Sequence, residues 1–302
     1  MFQKIDESEF SEQHINTDLV KKLISEQFPE YAHLPIKSVR KQGHDNRTYR
    51  LGNDMLVRMP SAEYYALKVP KEQELLPLLK PYLSVDIPVP IKMGNPSHDY
   101  PFNFSIYKWL EGTSANLLKL NDKALESIAL QLAKFLKELH GIVGIDGPSP
   151  GKHNGWGGDH VSVYDEGARK QISELSEIID EYKAMELWEK ACKTKRNKTP
   201  VWIHGDFAFG NFLIKDGKLS GVIDFGGMAI GDPAGDLVIA WTFLKGKSRE
   251  IFKQAMDLDS DTWLRSRGWA LWKATFDLCQ IKNKNSVEAL IQKRVIDEVL
   301  AS

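Results

Sequence analysis

The stretch from Val201 to Gly227 constrains this chain more than any other part of its sequence. A short apolar run, VWI, leads into His204-Gly205-Asp206, and four residues separate Asp206 from Asn211. A carboxylate and a carboxamide at this spacing, directly after a strand-like run, form the first half of a candidate site.

The second half of the stretch predicts a β-hairpin. Two apolar runs, NFLI and LSGVIDF, flank Lys215-Asp216-Gly217-Lys218, and Asp-Gly between apolar runs is a strong signal for a two-residue turn. The hairpin is expected to carry Asp224, in Asp-Phe-Gly, back towards Asp206 and Asn211. Two carboxylates and one carboxamide would then converge at one edge of a small sheet.

These side chains suit phosphoryl transfer, which needs cations on the phosphate oxygens and a nucleophile held in line. Asp206 is the candidate catalytic residue, because a carboxylate beside an acceptor hydroxyl can orient it and take its proton. Asn211 and Asp224 are candidate ligands for Mg²⁺, which prefers oxygen donors and completes its shell with water and nucleotide phosphates. The alternative is that Asp206 and Asn211 are ordinary turn residues and that Asp224 caps a strand end.

The motif H-G-D-x-x-x-x-N, followed by I-D-F-G, resembles the aminoglycoside phosphotransferase family, small-molecule relatives of the protein kinases. Protein kinases carry Arg before the catalytic Asp, and Gly205 in that place favours the small-molecule branch. The resemblance implies a protein-kinase-like bilobal α+β fold. Residues 1–108 would form a nucleotide-binding N-lobe with a small antiparallel sheet. Residues 109–302 would form a mainly helical C-lobe with the catalytic loop and the acceptor site.

The resemblance also implies where the nucleotide phosphates bind. The loop from Gln42 to Arg47 lies where the kinase fold covers the phosphates. Gly43 permits a close approach of the backbone, and Asn46, Arg47 and Thr48 can donate hydrogen bonds to phosphate. Without the downstream motif, an ordinary hairpin loop would explain this segment equally well.

Arg58, on a predicted strand, takes the place of the family's phosphate-pairing lysine, and a guanidinium can bind phosphate or carboxylate oxygens in the same way. The alternatives are a solvated strand-edge arginine at this position and Lys68 as the phosphate-binding cation. Glu72 is the best match to the carboxylate that pairs with this cation, and Glu74 is second. A solvated glutamate in the first turn of a helix, predicted from Lys71 to Leu83, is the alternative for either.

Two further groups of residues follow from the resemblance. The segment FSIYKWLEG matches the connector between lobes, where the main chain of Lys108 and Leu110 would meet the purine edge. His204 is expected to brace the catalytic loop. Asp236 is expected to support the same loop by accepting hydrogen bonds from its backbone N–H groups.

The composition sets broad limits on location and partners. The 302 residues are 42% hydrophobic and 27% charged, which is typical of a globular protein, and the net charge of −1 gives no argument for nucleic acid or membrane partners. The two cysteines lack C-x-x-C spacing, so neither a disulfide framework nor a cysteine zinc site is indicated. The segment MFQKIDESEF lacks a signal-peptide core, and no apolar run approaches the ~18 residues of a membrane span. We therefore expect a cytoplasmic monomer or homodimer.

Helical spacing predicts three further helical regions. One begins with Thr17 as its N-cap and runs to Phe28, one runs from Asp122 to His140, and one covers Val163 to Lys193.

The acceptor is the least determined part of the prediction. A polycationic aminoglycoside requires clustered acids, and Asp159, Asp165 and Glu166 are the only suggestive group. A solvated helix N-terminus explains these acids equally well, because negative charge is favourable there.

The sequence therefore predicts a phosphotransferase that moves the γ-phosphate of ATP or GTP, with Mg²⁺, to a hydroxyl of a small molecule such as an aminoglycoside-like antibiotic. The first alternative is a kinase for a sugar, hydroxy acid, amino alcohol or macrolide. The second is a nucleotide-binding pseudokinase without transferase activity, supported only by Arg58 in place of lysine. No P-loop, serine-hydrolase or H-E-x-x-H zinc motif is present in the sequence.

Overall fold

A computed structural model describes residues 14–40, 42–196 and 198–302. The N-terminal segment MFQKIDESEF, for which we predicted no signal peptide, lies outside these residues. The chain divides into two compact units. The first consists of Met1–Gly112 with Ser220–Gly226, and the second of Thr113–Leu219 with Gly227–Ser302. No helix in the described ranges is both long enough and apolar enough to cross a membrane.

The first unit contains a five-stranded antiparallel sheet in the order β1-β2-β3-β5-β4. Alternating residues of β2, such as Tyr49 and Leu51, are buried, as expected for a sheet with one face on a core. The β2–β3 turn contains Gly52 at φ 60°, a left-handed conformation that glycine adopts without strain. The strands are β1 Ile36–Ser38, β2 Asn46–Leu51, β3 Met55–Pro60, β4 Pro90–Gly94 and β5 Phe104–Lys108.

Three α-helices within the described residues accompany this sheet. Helix α1 (Thr17–Gln27) packs its buried face on the core of the sheet. Its N-cap is Asn16, whose side chain accepts from two backbone N–H groups, so our assignment of the cap to Thr17 was wrong by one residue. Helix α2 spans Glu63–Ala66 and α3 spans Lys68–Leu79. Helix α3 begins three residues earlier than predicted, and its last predicted turn is a 3₁₀ turn.

The second unit is mainly helical. Helix α4 (Asp122–His140) has the predicted bounds, with Asn121 as its N-cap and its apolar face buried. The region from Val163 to Lys193 is not one continuous helical segment as we predicted, because the Asp180 side chain caps a new helix start by accepting from the N–H of Lys183. The helices are α5 Asp165–Glu174, α6 Glu181–Lys193, α7 Ile239–Thr242, α8 Gly246–Met256, α9 Ser260–Gln280 and α10 Val287–Leu300.

Among the described residues, five short strands, β6 to β10, lie along the part of the chain where the sequence placed the candidate site. They are β6 Thr113–Ser114, β7 Val201–Ile203, β8 Phe212–Lys215, β9 Lys218–Val222 and β10 Ala229–Gly231. Strand β7 pairs with β10, and β8 lies between β6 and β9. The predicted β8–β9 hairpin is confirmed: Asp216 and Gly217 adopt φ of 51° and 73°, the two left-handed residues of a type I′ turn. Ser220–Gly226, which contains the end of β9 and Asp224, belongs to the first unit.

Candidate active site

The loop after β7 brings Asp206 and Asn211 together within the second unit. The Asn211 Nδ2 donates to the backbone oxygen of Asp206 at 3.0 Å and to its Oδ2 at 3.3 Å. A short 3₁₀ turn, Phe209–Asn211, sets this geometry, and the Asn211 N–H donates to the Ala208 oxygen at 2.8 Å. The Asp206 side chain is exposed, so its carboxylate can meet a small molecule.

The loop requires glycine at position 205. Gly205 has φ 83°, and a Cβ placed there would lie 2.0 Å from the Gly227 oxygen. The loop backbone therefore packs directly on another backbone segment of the same unit. The glycine that distinguished the motif from that of protein kinases has a steric reason in this structure.

Asp236 holds the backbone of the loop through two hydrogen bonds. Its Oδ2 accepts from the His204 N–H at 2.7 Å and its Oδ1 accepts from the Gly205 N–H at 2.9 Å, and the carboxylate is buried. His204 is also fully buried, and its Nδ1 accepts from the Asp206 N–H at 3.2 Å. Because Nδ1 accepts, a neutral imidazole here carries its proton on Nε2. These contacts fix the backbone on both sides of Gly205.

Replacing Asp236 with asparagine is expected to lower the free energy of unfolding by about 2–3 kcal/mol, because one of two hydrogen bonds to a buried charged acceptor is lost and an amide N–H₂ faces a backbone donor. Urea unfolding at neutral pH measures the change. Asp261→Asn is the control, since Asp261 is exposed in the first turn of α9. A change no larger than that of the control would contradict the bracing role.

In the first unit, Arg58 lies between two carboxylates. Its Nη1 donates to both oxygens of Glu72, at 3.1 and 3.2 Å, and its Nη2 donates to Asp224. Burial disfavours the guanidinium charge, but the charges of Asp224 and Glu72 outweigh it and raise the pKa of Arg58 well above its usual value. Arg58, whose side chain is 18% exposed, is therefore a permanently charged, largely buried residue and not the solvated strand-edge arginine of our alternative.

Glu72 is the carboxylate that pairs with Arg58, whereas Glu74 is exposed on the same helix. The Tyr107 hydroxyl donates to Glu72 Oε2 at 2.6 Å. Burial and the Glu72 charge raise the pKa of Tyr107 well above its usual value, so this hydroxyl stays protonated and donates. Tyr107 was not predicted, and its only signal in the sequence is a tyrosine within the apolar run FSIY.

Asn46, at the start of β2, also faces Arg58. With the amide oriented so that its oxygen points to the guanidinium, this oxygen accepts from Nε at 3.2 Å and from Nη2 at 3.0 Å. A small pocket opens at this cluster. Its lining residues are Asn46, Arg58, Tyr65, Lys68, Val69, Glu72 and Ser105.

The loop before β2 is held by its own side chains. The Gln42 amide accepts from the Thr48 N–H at 2.7 Å and donates to the Thr48 oxygen at 2.9 Å. The Arg47 guanidinium donates to the Gly43 oxygen at 2.7 Å. Thr48, one of the predicted phosphate donors, can therefore offer phosphate its hydroxyl but not its backbone N–H, which already donates to Gln42.

The main chain of the predicted purine-binding segment is partly occupied. The Lys108 N–H donates to the Val89 oxygen at 3.1 Å, and the Trp109 N–H donates to the Asp54 oxygen at 2.7 Å. The Arg50 guanidinium stacks 3.8 Å from the centre of the Trp109 ring, which gives this tryptophan a packing role. The candidate contacts for the purine edge are therefore the Lys108 carbonyl and the backbone N–H of Leu110.

Asp224 and Asn211 have the atoms that a magnesium ion requires. Asp224 supplies a carboxylate, and both Asn211 hydrogen bonds described above use Nδ2, so its oxygen remains for a ligand role. Asp224 has φ 67°, a left-handed backbone that costs a non-glycine residue about 1–3 kcal/mol. Asp224 belongs to the first unit and Asn211 to the second, and their convergence with Asp206 stays a prediction.

Comparison with known proteins yields one family and one fold. The model of the phosphotransferase enzyme family matches residues 38–269. The aminoglycoside 3′-phosphotransferase of Escherichia coli is 28% identical over 138 residues, which are 44% of this chain and 49% of that protein. The chain thus matches about half the length of this relative.

The solved structures that are similar extend over nearly the whole chain. The GDP and kanamycin complex of APH(2″)-IIIa has a TM-score of 0.72 at 23% identity and covers 94% of this chain and 98% of its own. The apoenzyme of macrolide 2′-phosphotransferase MphH from Brachybacterium faecium has a TM-score of 0.61 at 19% identity, covering 93% and 98%. With the antiparallel sheet and the mainly helical second unit, these similarities confirm the predicted kinase-like α+β fold.

Proposed function

Because the chain belongs to the phosphotransferase enzyme family, as the resemblance of its central motif predicted, we propose that it transfers the γ-phosphate of ATP or GTP to a hydroxyl of a small molecule. The observation that carries this proposal is the braced loop of the second unit. Its backbone is tied down by Asp236, yet the carboxylate of Asp206 stays exposed beside Asn211. A loop that is rigid in its backbone and open at its carboxylate suits the orientation of an acceptor hydroxyl.

In the proposed reaction Asp206 accepts a hydrogen bond from the acceptor hydroxyl and takes its proton as the oxygen attacks the γ-phosphorus. The bond from that phosphorus to the bridging oxygen breaks, and the nucleoside diphosphate leaves with the electron pair. Asn211 holds the Asp206 carboxylate in place through its Nδ2 at 3.3 Å. Positioning of this kind is most of what an enzyme contributes to phosphoryl transfer.

The nucleotide is assigned to the first unit, whose charged cluster supports this role. Arg58 would bind phosphate oxygens while Glu72 and Tyr107 hold it in position. Gly43, Asn46 and Thr48 are the proposed phosphate-side contacts from the loop before β2 and from β2 itself. The main chain of Lys108 and Leu110 is the proposed contact for the purine edge.

Asp224 and Asn211 are the proposed ligands of Mg²⁺, which would neutralise charge on the phosphate oxygens when bound. Asp224 is held in place by Arg58, so its carboxylate is oriented before any metal binds. We also propose that the protein acts in the cytoplasm, where ATP and GTP are supplied.

A second candidate acceptor, neutral and hydroxylated, is favoured by how the fold uses its acids. The Asp165 carboxylate accepts from Arg169 Nε at 2.9 Å and from Trp188 Nε1 at 2.7 Å, and Asp159 accepts from the His160 N–H at 2.6 Å. Two of the three acids that suggested a polycation therefore have partners within the fold. The similarity to a macrolide phosphotransferase supports the same direction, and the Escherichia coli relative supports an aminoglycoside.

Acceptor-dependent release of nucleoside diphosphate is the test of the proposed function. We expect release with ATP or GTP for at least one compound in a panel of aminoglycosides, macrolides, sugars and amino alcohols, and no release with a deoxy analogue of that compound. The panel decides between the two acceptor classes. Tight binding of Mg-nucleotide without release for any acceptor would instead favour the pseudokinase. No nucleotide binding at all would refute the proposal.

A further inference from the structure

The first turn of helix α3 touches Gly226, the glycine of the Asp-Phe-Gly segment, at two points. The Lys71 Nζ donates to the Gly226 oxygen at 2.8 Å. The stem of Lys68 covers the Gly226 Cα so closely that a Cβ built there would lie 2.8 Å from the Lys68 Cδ. Positions 68 and 71 are three residues apart and share one helix face. All of these residues belong to the first unit.

The next residue of the helix holds the other end of the same segment. Glu72 fixes Arg58, and Arg58 donates to Asp224. Glu72 therefore acts, through Arg58, on the Asp224 side chain. Its neighbour Lys71 acts on the Gly226 main chain. The segment needs such anchors, because Asp224 has a left-handed backbone, which a non-glycine residue keeps only when its surroundings enforce it.

Lys71 is an unfavourable choice for stability alone. Burial lowers its pKa to about 8, with the Lys68 charge acting in the same direction and the Glu72 charge opposing it. Since burial disfavours the charged form in the folded protein, a lysine is an unusual residue at this partly buried position. Its hydrogen bond to the Gly226 carbonyl gives a reason for a lysine at this position.

We propose that Lys71 is a positioning residue that fixes the orientation of the Asp224 carboxylate for Mg-nucleotide by holding the Gly226 carbonyl. The proposal rests on the proposed function, in which Asp224 binds the metal. Loss of the Lys71 contact would remove the hydrogen bond that holds the Gly226 carbonyl, two residues after Asp224. The effect belongs in the dependence on Mg²⁺, because the Lys71 contact lies at the turn that carries the proposed metal ligand Asp224.

The experiment compares Lys71→Met, Lys71→Arg and wild type by titrating Mg²⁺ at fixed ATP. For Lys71→Met we expect the Mg²⁺ concentration for half-maximal nucleotide binding to rise about tenfold, the usual loss when a residue that orients a metal ligand is removed. Nucleotide binding at saturating Mg²⁺ should stay within about twofold of wild type, and the melting temperature should be unchanged. Lys71→Arg, which can still donate to the carbonyl, should restore the wild-type Mg²⁺ dependence.

Glu74→Gln is the matched control, since Glu74 is exposed on the same helix. An unchanged Mg²⁺ dependence in Lys71→Met would overturn the positioning role and leave the proposed function standing, as would a lowered melting temperature with unchanged Mg²⁺ dependence. Absence of Mg-nucleotide binding in the wild type would overturn both. Nucleotide binding is measured directly by calorimetry, so the result does not depend on knowing the acceptor.

Discussion

Replacing Asp206 with asparagine is expected to lower turnover by about 10²–10⁴-fold, the usual contribution of a positioned base. Asparagine keeps the size of the side chain and can still accept from Asn211, but it cannot take a proton from the acceptor hydroxyl. Because the loop backbone is held by Asp236 and not by Asp206, the fold and nucleotide affinity should be unchanged. The loss is therefore expected in kcat.

The measurement is steady-state release of nucleoside diphosphate at saturating nucleotide and acceptor, with nucleotide affinity measured in parallel. Asp216→Asn is the matched control: Asp216 is exposed in the hairpin turn, and asparagine tolerates its left-handed backbone. Near-native turnover in Asp206→Asn would show that Asp206 is not the base. A parallel loss of nucleotide binding would show that the substitution disturbs more than proton transfer.

Replacing Asp224 with alanine is expected to weaken Mg²⁺-dependent nucleotide binding by about 10²–10³-fold, because a metal ion contributes several kcal/mol to interactions with phosphate and this residue would supply its carboxylate. The change also removes one of the two carboxylates that accept from Arg58. Asp224→Asn separates the two effects, since its amide oxygen can still accept from Arg58 but carries no charge for a metal.

Calorimetric titration of ATP with Mg²⁺ and with EDTA measures this effect. Binding in EDTA should be similar for wild type and Asp224→Asn, and the gain on adding Mg²⁺ should be lost in the variant. Asp99→Ala is the control. This exposed carboxylate of the same unit pairs with Lys22 and with its neighbour His98. Retention of the full Mg²⁺ effect would remove Asp224 from the metal site.

The features that were predictable from sequence are those with strong local causes. The Asp216-Gly217 turn forms where two left-handed residues are needed, and an uninterrupted apolar stripe defines α4. The cap of α1 was displaced by one residue because Asn16 and Thr17 are both suitable caps. The break before α6 was missed because helical spacing continues across it, while capping by Asp180 is a contact of a single side chain.

The candidate site shows the same division between local and distant causes. The resemblance pointed to Arg58 and Glu72, and the structure distinguishes Glu72 from Glu74 because residues two apart face different sides of a helix. Tyr107 and Lys71 were not predicted. Tyr107 is 35 residues from Glu72 and Lys71 is 155 residues from Gly226, so neither contact has a signature in its own neighbourhood.

The first unit is discontinuous in sequence, and this has a consequence for how the protein is made. Residues 220–226, with Asp224 and Gly226, complete a unit whose other part ends at residue 112. During synthesis Arg58 therefore emerges from the ribosome more than a hundred residues before its second carboxylate. Domains of a growing chain generally fold from the N-terminus first, but the first unit cannot be completed in that order. Until residue 226 has been added, Arg58 cannot pair with Asp224 and Lys71 cannot donate to Gly226. An isolated N-terminal fragment would lack both of these contacts.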